Sequence, residues 1–175
     1  MEERGPEHLH APWRMEYILK AGKPHEGCIF CDKPCQSVSC DRDNLLIYRG
    51  THNFIILNAF PYNNGHLMVI PYLHTSALTA LPGETLNEMM ALASQAIRAL
   101  EQVMHPDGFN LGMNLGHAAG AGIAEHLHLH VVPRWNGDTN FMPVVGNVRV
   151  LPEALDITWE KVRAAFEAVL AEDAG

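Results

Sequence analysis

Short stretches of this chain alternate between apolar and polar residues, and two longer ones repeat at helical spacing. "NLLIYR" (44–49), "NFIILN" (53–58), "HLMVIPY" (66–72) and "FNLGMNL" (109–115) are brief, apolar and bounded by Gly, Asn or Pro, which predicts strands. "HLHLHVV" (126–132) alternates strictly and predicts a fifth. Between the third and fourth, residues 85–104 put Leu86, Met89, Met90, Ile97, Leu100, Val103 and Met104 on one helical stripe. Thr85 and Glu88 have capping-box spacing there, and Pro106 ends the run. A last helix carries Trp159, Val162, Phe166 and Val169 on one face. "PWRMEYILK" (12–20) predicts a short helix, and the Gly-, Pro-, Cys- and Asp-rich residues 20–43 a loop. This order predicts an α+β fold: a mostly antiparallel five-stranded sheet with one long helix and a C-terminal helix.

The alternation in the fifth strand decides where its histidines go. Residues two apart on a strand share a face, so His126, His128, His130 and Val132 stand on one side and Leu127, Leu129 and Val131 on the other. The leucine and valine side is a core surface. The other side presents three imidazoles to one small ligand.

Composition narrows the partners. The 175 residues suit a single domain, and 47% apolar content is ordinary for a globular chain. A net charge of −8 argues against general nucleic-acid binding. No apolar run is long enough to span a membrane, and the polar "MEERGPEHLH" start does not resemble a secretory signal, so a cytoplasmic location is expected. An acidic protein can still hold phosphate by local means. "GHAAGAG" sets Gly116, Gly120 and Gly122 just before the histidines, where backbone N–H groups can converge on an anion. Arg134, just beyond, is positioned to balance charge along a polyphosphate.

The histidines admit two uses. They can bind a catalytic metal, or one of them can attack phosphorus and hold the transferred group covalently. The glycine loop favours the second, with His128 as nucleophile, because a neutral imidazole needs no deprotonation to attack.

These residues carry a resemblance. "HLHLHVV" resembles the His-φ-His-φ-His-φ-φ signature of the histidine triad (HIT) superfamily of nucleotidyl hydrolases and transferases. "LNAFPYNNGHLMVIPYLH" (57–74) is similar to a second block of that family. "HVVPRWNGD" resembles the fragile-histidine-triad branch and bacterial diadenosine tetraphosphate phosphorylases. The resemblance implies a single HIT-like domain: an N-terminal extension (1–27), a catalytic core (28–138) and a C-terminal extension with a helix (139–175). It implies that His128 forms a nucleotidyl-histidine, that His126 and His130 orient it or touch phosphate oxygens, and that Asn58 bonds a ribose with Ile56 and Leu57 near the base. Asn114 would help hold phosphate. The implied substrate is a nucleotide or dinucleoside polyphosphate, the acceptor water or inorganic phosphate, and the assembly a homodimer with a continuous sheet. Family members often carry Gln or Ser shortly before the triad; Gly122 and Ile123 stand there instead.

Cys28 and Cys31 have the Cys-x-x-Cys spacing of half a zinc site. Zinc-containing HIT relatives complete the set at positions matching His74 and His126, which implies a structural zinc on Cys28, Cys31, His74 and His126, with no organic cofactor. The rival set is Cys28, Cys31, Cys35 and Cys40; unpaired thiols are the plain alternative. Two other functions stay open: a metal-dependent phosphohydrolase with all three histidines as ligands, and a non-catalytic nucleotide-binding zinc protein. His66 reads as a strand-end histidine bonded to backbone, with substrate contact as the sharper alternative.

Overall fold

The computed structural model describes residues 27–138 and 153–175; the helix expected at 12–20 lies outside them. The chain forms helix α1 (Ile29–Cys35), a 3-10 turn (Val38–Cys40), α2 (Asp41–Asn44), strands β1 (Leu46–Arg49), β2 (Asn53–Leu57) and β3 (Leu67–Pro71), helix α3 (Gly83–Met104), strands β4 (Gly108–Gly112) and β5 (Leu129–Arg134), and helix α4 (Leu155–Asp173). The five strands run in the order β1-β2-β3-β5-β4 with antiparallel neighbours. The expected α+β sheet is therefore present.

Alternation divides the sheet into two faces. Ile47, Ile55, Leu57, Leu67, Val69, Leu127, Leu129 and Val131 pack against α3 and α4 through Met89, Leu92, Ala96, Leu100, Val162, Phe166 and Val169. On the opposite face Phe30 of α1 packs with Leu46, Phe54, Ile56, Met68 and Ile70. Burying a large apolar side chain contributes roughly 1.5–3 kcal/mol, so the helix-covered face anchors the fold and the smaller face is left for chemistry.

Two local expectations fail for identifiable reasons. Residues 20–43 are not all loop: the Cys28 carbonyl accepts from the amides of Cys31 (2.9 Å) and Asp32 (3.0 Å), which starts α1. Nor do Thr85 and Glu88 form a capping box. Helix α3 begins at Gly83 with Pro82 at its N-cap, and Thr85 is buried inside it. Glu88 reaches away to the β1–β2 turn and accepts from the Thr51 and His52 amides and Asn53 Nδ2, each at 2.7 Å. Burial pushes its carboxyl pKa up, but these bonds outweigh it and hold the group below its ordinary value.

The two sheet edges differ. On β1, Trp159 Nε1 donates to the Leu46 carbonyl (2.8 Å) and an Arg163 guanidinium nitrogen to that of Ile47 (2.7 Å). At the other edge, β4 presents exposed residues, Leu111 among them.

Candidate active site and metal cluster

The histidine segment is extended, but only His130 lies within β5, paired with Met68 of β3 and Gly112 of β4. His126 and His128 precede the ladder, and the Leu127 amide bonds instead to the Thr75 carbonyl (2.7 Å). The alternation persists: Leu127 and Leu129 enter the helix-covered core, while Phe30 lies edge-on to His126 and His128 at 5.6 and 5.2 Å on the opposite face. All three rings are buried.

Each ring has a distinct set of partners, and together they assign its tautomer. His126 Nε2–H donates to the Pro71 carbonyl (2.8 Å), which leaves its Nδ1 lone pair free to bind. His128 Nδ1–H donates to the carbonyl of His126 (2.8 Å), which puts the lone pair on Nε2. His130 Nδ1 lies 2.9 Å from His66 Nε2. The Tyr62 amide donates to His66 Nδ1 (3.0 Å), so the His66 proton sits on Nε2 and is given to His130 Nδ1. A neutral His130 then carries its own proton on Nε2, which is buried without a partner among the described residues. Leaving a buried donor unpaired costs about 1–3 kcal/mol, a cost that a bound oxygen removes.

Burial pushes the His128 pKa down, against the bond to the His126 carbonyl, and lowers that of His126 in the same way. Burial and the neighbouring His128 push His130 down to about 4. All three rings are neutral at pH 7.

His126 Nδ1 faces a cluster of donors. It lies 3.2 Å from Cys28 Sγ, 3.6 Å from Cys31 Sγ and 3.3 Å from His74 Nδ1, with Cys31 Sγ and His74 Nδ1 3.4 Å apart. Ligands of a tetrahedral ion with bonds of about 2.0–2.3 Å stand about 3.3–3.8 Å from each other, so the four donors fit one small cation. Cys35 and Cys40 are outside this group, and the four-cysteine set is set aside. His128 and His130 are outside it too, with their Nδ1 atoms engaged, so the three histidines do not converge on one metal.

The substrate residues expected from the sequence divide. Ile56 lies on the histidine face. Leu57 does not: alternation sends it into the helix-covered core, a correction to its expected place beside a base. Asn58 follows β2 as a turn former, accepting from the Phe60 amide (2.9 Å), with Nδ2 lying 3.3 Å from His66 Nδ1. Asn114 lies two residues beyond Gly112, the last β4 residue, which pairs with His130. Gly116 and Gly120 have φ of +83° and +87° around a 3-10 turn, and a Cβ added there or at Gly122 would meet open space. Arg134 is held by Asp138 (2.7 and 2.8 Å) and Asn110 (2.6 Å), so its charge is matched within the protein.

Sequence reasoning missed the contact between His66 and His130. Gly65 shapes the approach: its φ is +73°, and a Cβ there would come within 2.6 Å of Met104 Sδ. Tyr62 completes the group, its ring 4.6 Å from His66 and 5.6 Å from His130.

The HIT domain model matches residues 41–137, more than half of the chain. The chain belongs to the HIT domain family. It is 42% identical over 154 residues to a protein named AP-4-A phosphorylase from Mycobacterium tuberculosis, covering 84% of this chain and 77% of that one. Among solved structures it is similar to a Zn-bound histidine triad family protein from Mycobacterium smegmatis, with a TM-score of 0.64 and 32% identity over 83% of this chain and 97% of that one. A hypothetical histidine triad nucleotide-binding protein from Sulfolobus tokodaii matches with a TM-score of 0.63 and 25% identity, covering 81% of this chain and 93% of that one.

Proposed function

We propose that this HIT protein cleaves dinucleoside polyphosphates, such as diadenosine tetraphosphate, by nucleotidyl transfer through His128. The single observation that carries the reading is the pair of opposed tautomers on neighbouring rings. His128 offers an Nε2 lone pair while His130 offers an Nε2–H donor, with ring centroids 4.7 Å apart. In the first step the His128 lone pair forms a P–N bond at the α-phosphorus. The bond to the bridging oxygen breaks, and the leaving nucleotide keeps the electron pair. In the second, an oxygen of inorganic phosphate or water attacks phosphorus and the P–N pair returns to His128. The M. tuberculosis relative named as a phosphorylase supports phosphate as one acceptor. Backbone N–H groups around Gly120 and Gly122 hold the phosphates with Asn114, Asn58 meets the ribose, and Ile56 lines the base side.

Zinc on Cys28, Cys31, His74 and His126 is the metal the donor set fits. When bound it supplies a structural brace, and His126 passes that rigidity on through its carbonyl, which fixes the His128 tautomer. Reduced thiols at such a site suit the cytoplasm. The exposed β4 edge, opposite the β1 edge occupied by Trp159 and Arg163, supports a homodimer with a sheet continuous across the two β4 strands.

Quenching of the full-length protein with labelled diadenosine tetraphosphate in denaturant at alkaline pH, where a P–N bond to histidine survives, tests the mechanism. Label retained on protein, and absent from His128→Ala, is the expected result. Cleavage without trapped label, abolished by chelation, would instead favour metal-activated water.

A further inference from the structure

The geometry points to Asp138 as a positioning residue for nucleoside binding: by holding Asn63, it fixes the β2–β3 loop (58–66) that presents Asn58 to the ribose. This rests on the reading of Asn58 as the ribose contact and deepens it.

The proposed transfer uses nothing of "PRWNGD" (133–138). Its arginine is engaged with protein oxygens, so the role of the segment lies in what its ion pair holds. Asp138 turns back on the segment, its amide donating to the Trp135 carbonyl (3.1 Å), and its side chain is only 11% exposed. Oδ1 accepts from Arg134 Nη2 (2.8 Å). Oδ2 gathers Arg134 Nε (2.7 Å), the Trp135 amide (3.1 Å) and Asn63 Nδ2 (2.7 Å). Arg134 and Trp135 are neighbours in the chain, whereas Asn63 is 75 residues away. Arg134 offsets the cost of burying the carboxylate, and the carboxylate is then a charged acceptor for the distant loop.

From Asn63 the hold passes to Asn58 through the backbone. The Asn63 carbonyl accepts from the His66 amide (3.2 Å), and the His66 carbonyl from the Asn58 amide (2.9 Å). Asn63 Nδ2 also reaches the Pro133 carbonyl (3.2 Å), which ties the loop to β5. A second tether comes from α4, where Thr158 Oγ1 lies 3.3 Å from Asn64 Oδ1. That contact is long, and the same hydroxyl donates to Glu153 at 2.8 Å. A charge-assisted bond is roughly twice as strong as a neutral one, so Asp138 carries the larger share. A loop held in this way has little freedom left to lose when a ribose binds. Released at Asn63, it has to be ordered by the ligand, and the ribose contact weakens while the glycine loop still meets the phosphates.

The test isolates the ribose contact. Calorimetric titration of the full-length protein with AMP and with its 2′,3′-dideoxy analogue gives a ratio of affinities that reports the hydroxyls. In the wild type AMP is expected to bind roughly tenfold more tightly. Asn63→Ala and Asp138→Ala should each bring the two affinities within about twofold, and the double variant should add nothing further. Arg134, unpaired from its carboxylate in Asp138→Ala, acts on both nucleotides alike and cancels in the ratio. Asp138→Asn keeps an oxygen toward Asn63 and should restore most of the preference. A lower Tm alone does not move this ratio, so a merely structural role reads differently. A wild-type preference retained in folded Asn63→Ala protein overturns the proposal with the ribose reading intact. A wild type that binds both nucleotides equally overturns the ribose reading and the proposal together. Failure of the covalent reading is separate again: no label on His128.

Discussion

The two outer histidines of the triad are the same residue type on the same face, yet their surroundings give them opposite tasks. His126 donates to a carbonyl through Nε2 and turns a lone pair to a cluster of thiols and a second imidazole. His130 accepts from a neutral imidazole through Nδ1 and leaves its Nε2 proton buried without a partner among the described residues. In the proposed mechanism one end of the segment serves rigidity and the other hydrogen bonding to substrate. A histidine's job is set by what occupies its other nitrogen, and His128 stands between the two ends.

The largest break in that comparison is at its centre. His128→Ala should lower kcat by roughly 10⁴-fold or more while sparing nucleotide affinity, read by single-turnover cleavage beside an equilibrium binding assay. Next comes the donor end: His130→Ala removes the N–H that meets developing charge and should cost about 10²–10³ in kcat with KM little changed. The rigid end should fail differently. Cys31→Ala, or exhaustive chelation, should lower Tm and metal content together and reduce kcat about 10–100-fold, measured by calorimetry and metal analysis on the same sample.

The smallest effect is on stability against pH. His130 titrates near 6.5 when unfolded and about 4 when folded. Between those values the unfolded chain binds the extra proton, so its contribution is present above pH 6.5 and is lost as pH falls toward 4. Urea midpoints at pH 7 and pH 5 should differ by less in His130→Gln than in the wild type, and equal differences would show that His130 does not carry this dependence.

Much of this was legible before any coordinates. Strict alternation in "HLHLHVV" placed the leucines in the core and the histidines opposite. The Cys-x-x-Cys spacing with His74 and His126 named the donor cluster, although only the resemblance joined its halves. Alternation also forbids Ile56 and Leu57 from sharing a face, so the misplacement of Leu57 was avoidable from the sequence. Glu88 was not: nothing local distinguishes a capping glutamate from one that reaches a turn 36 residues earlier. The bond from His66 to His130 depends on β3 lying beside β5, a tertiary fact that a linear pattern does not state.

Cys28 and His126 are 98 residues apart in the chain but in contact through Sγ and Nδ1. During synthesis the paired cysteines emerge long before the last donor, so a complete set of ligands exists only after the sheet has closed across β3 and β5. At the proposed zinc site, high-affinity metal capture would therefore mark the end of folding and not its beginning. A cell that supplies the ion late loads finished molecules and leaves incomplete ones empty.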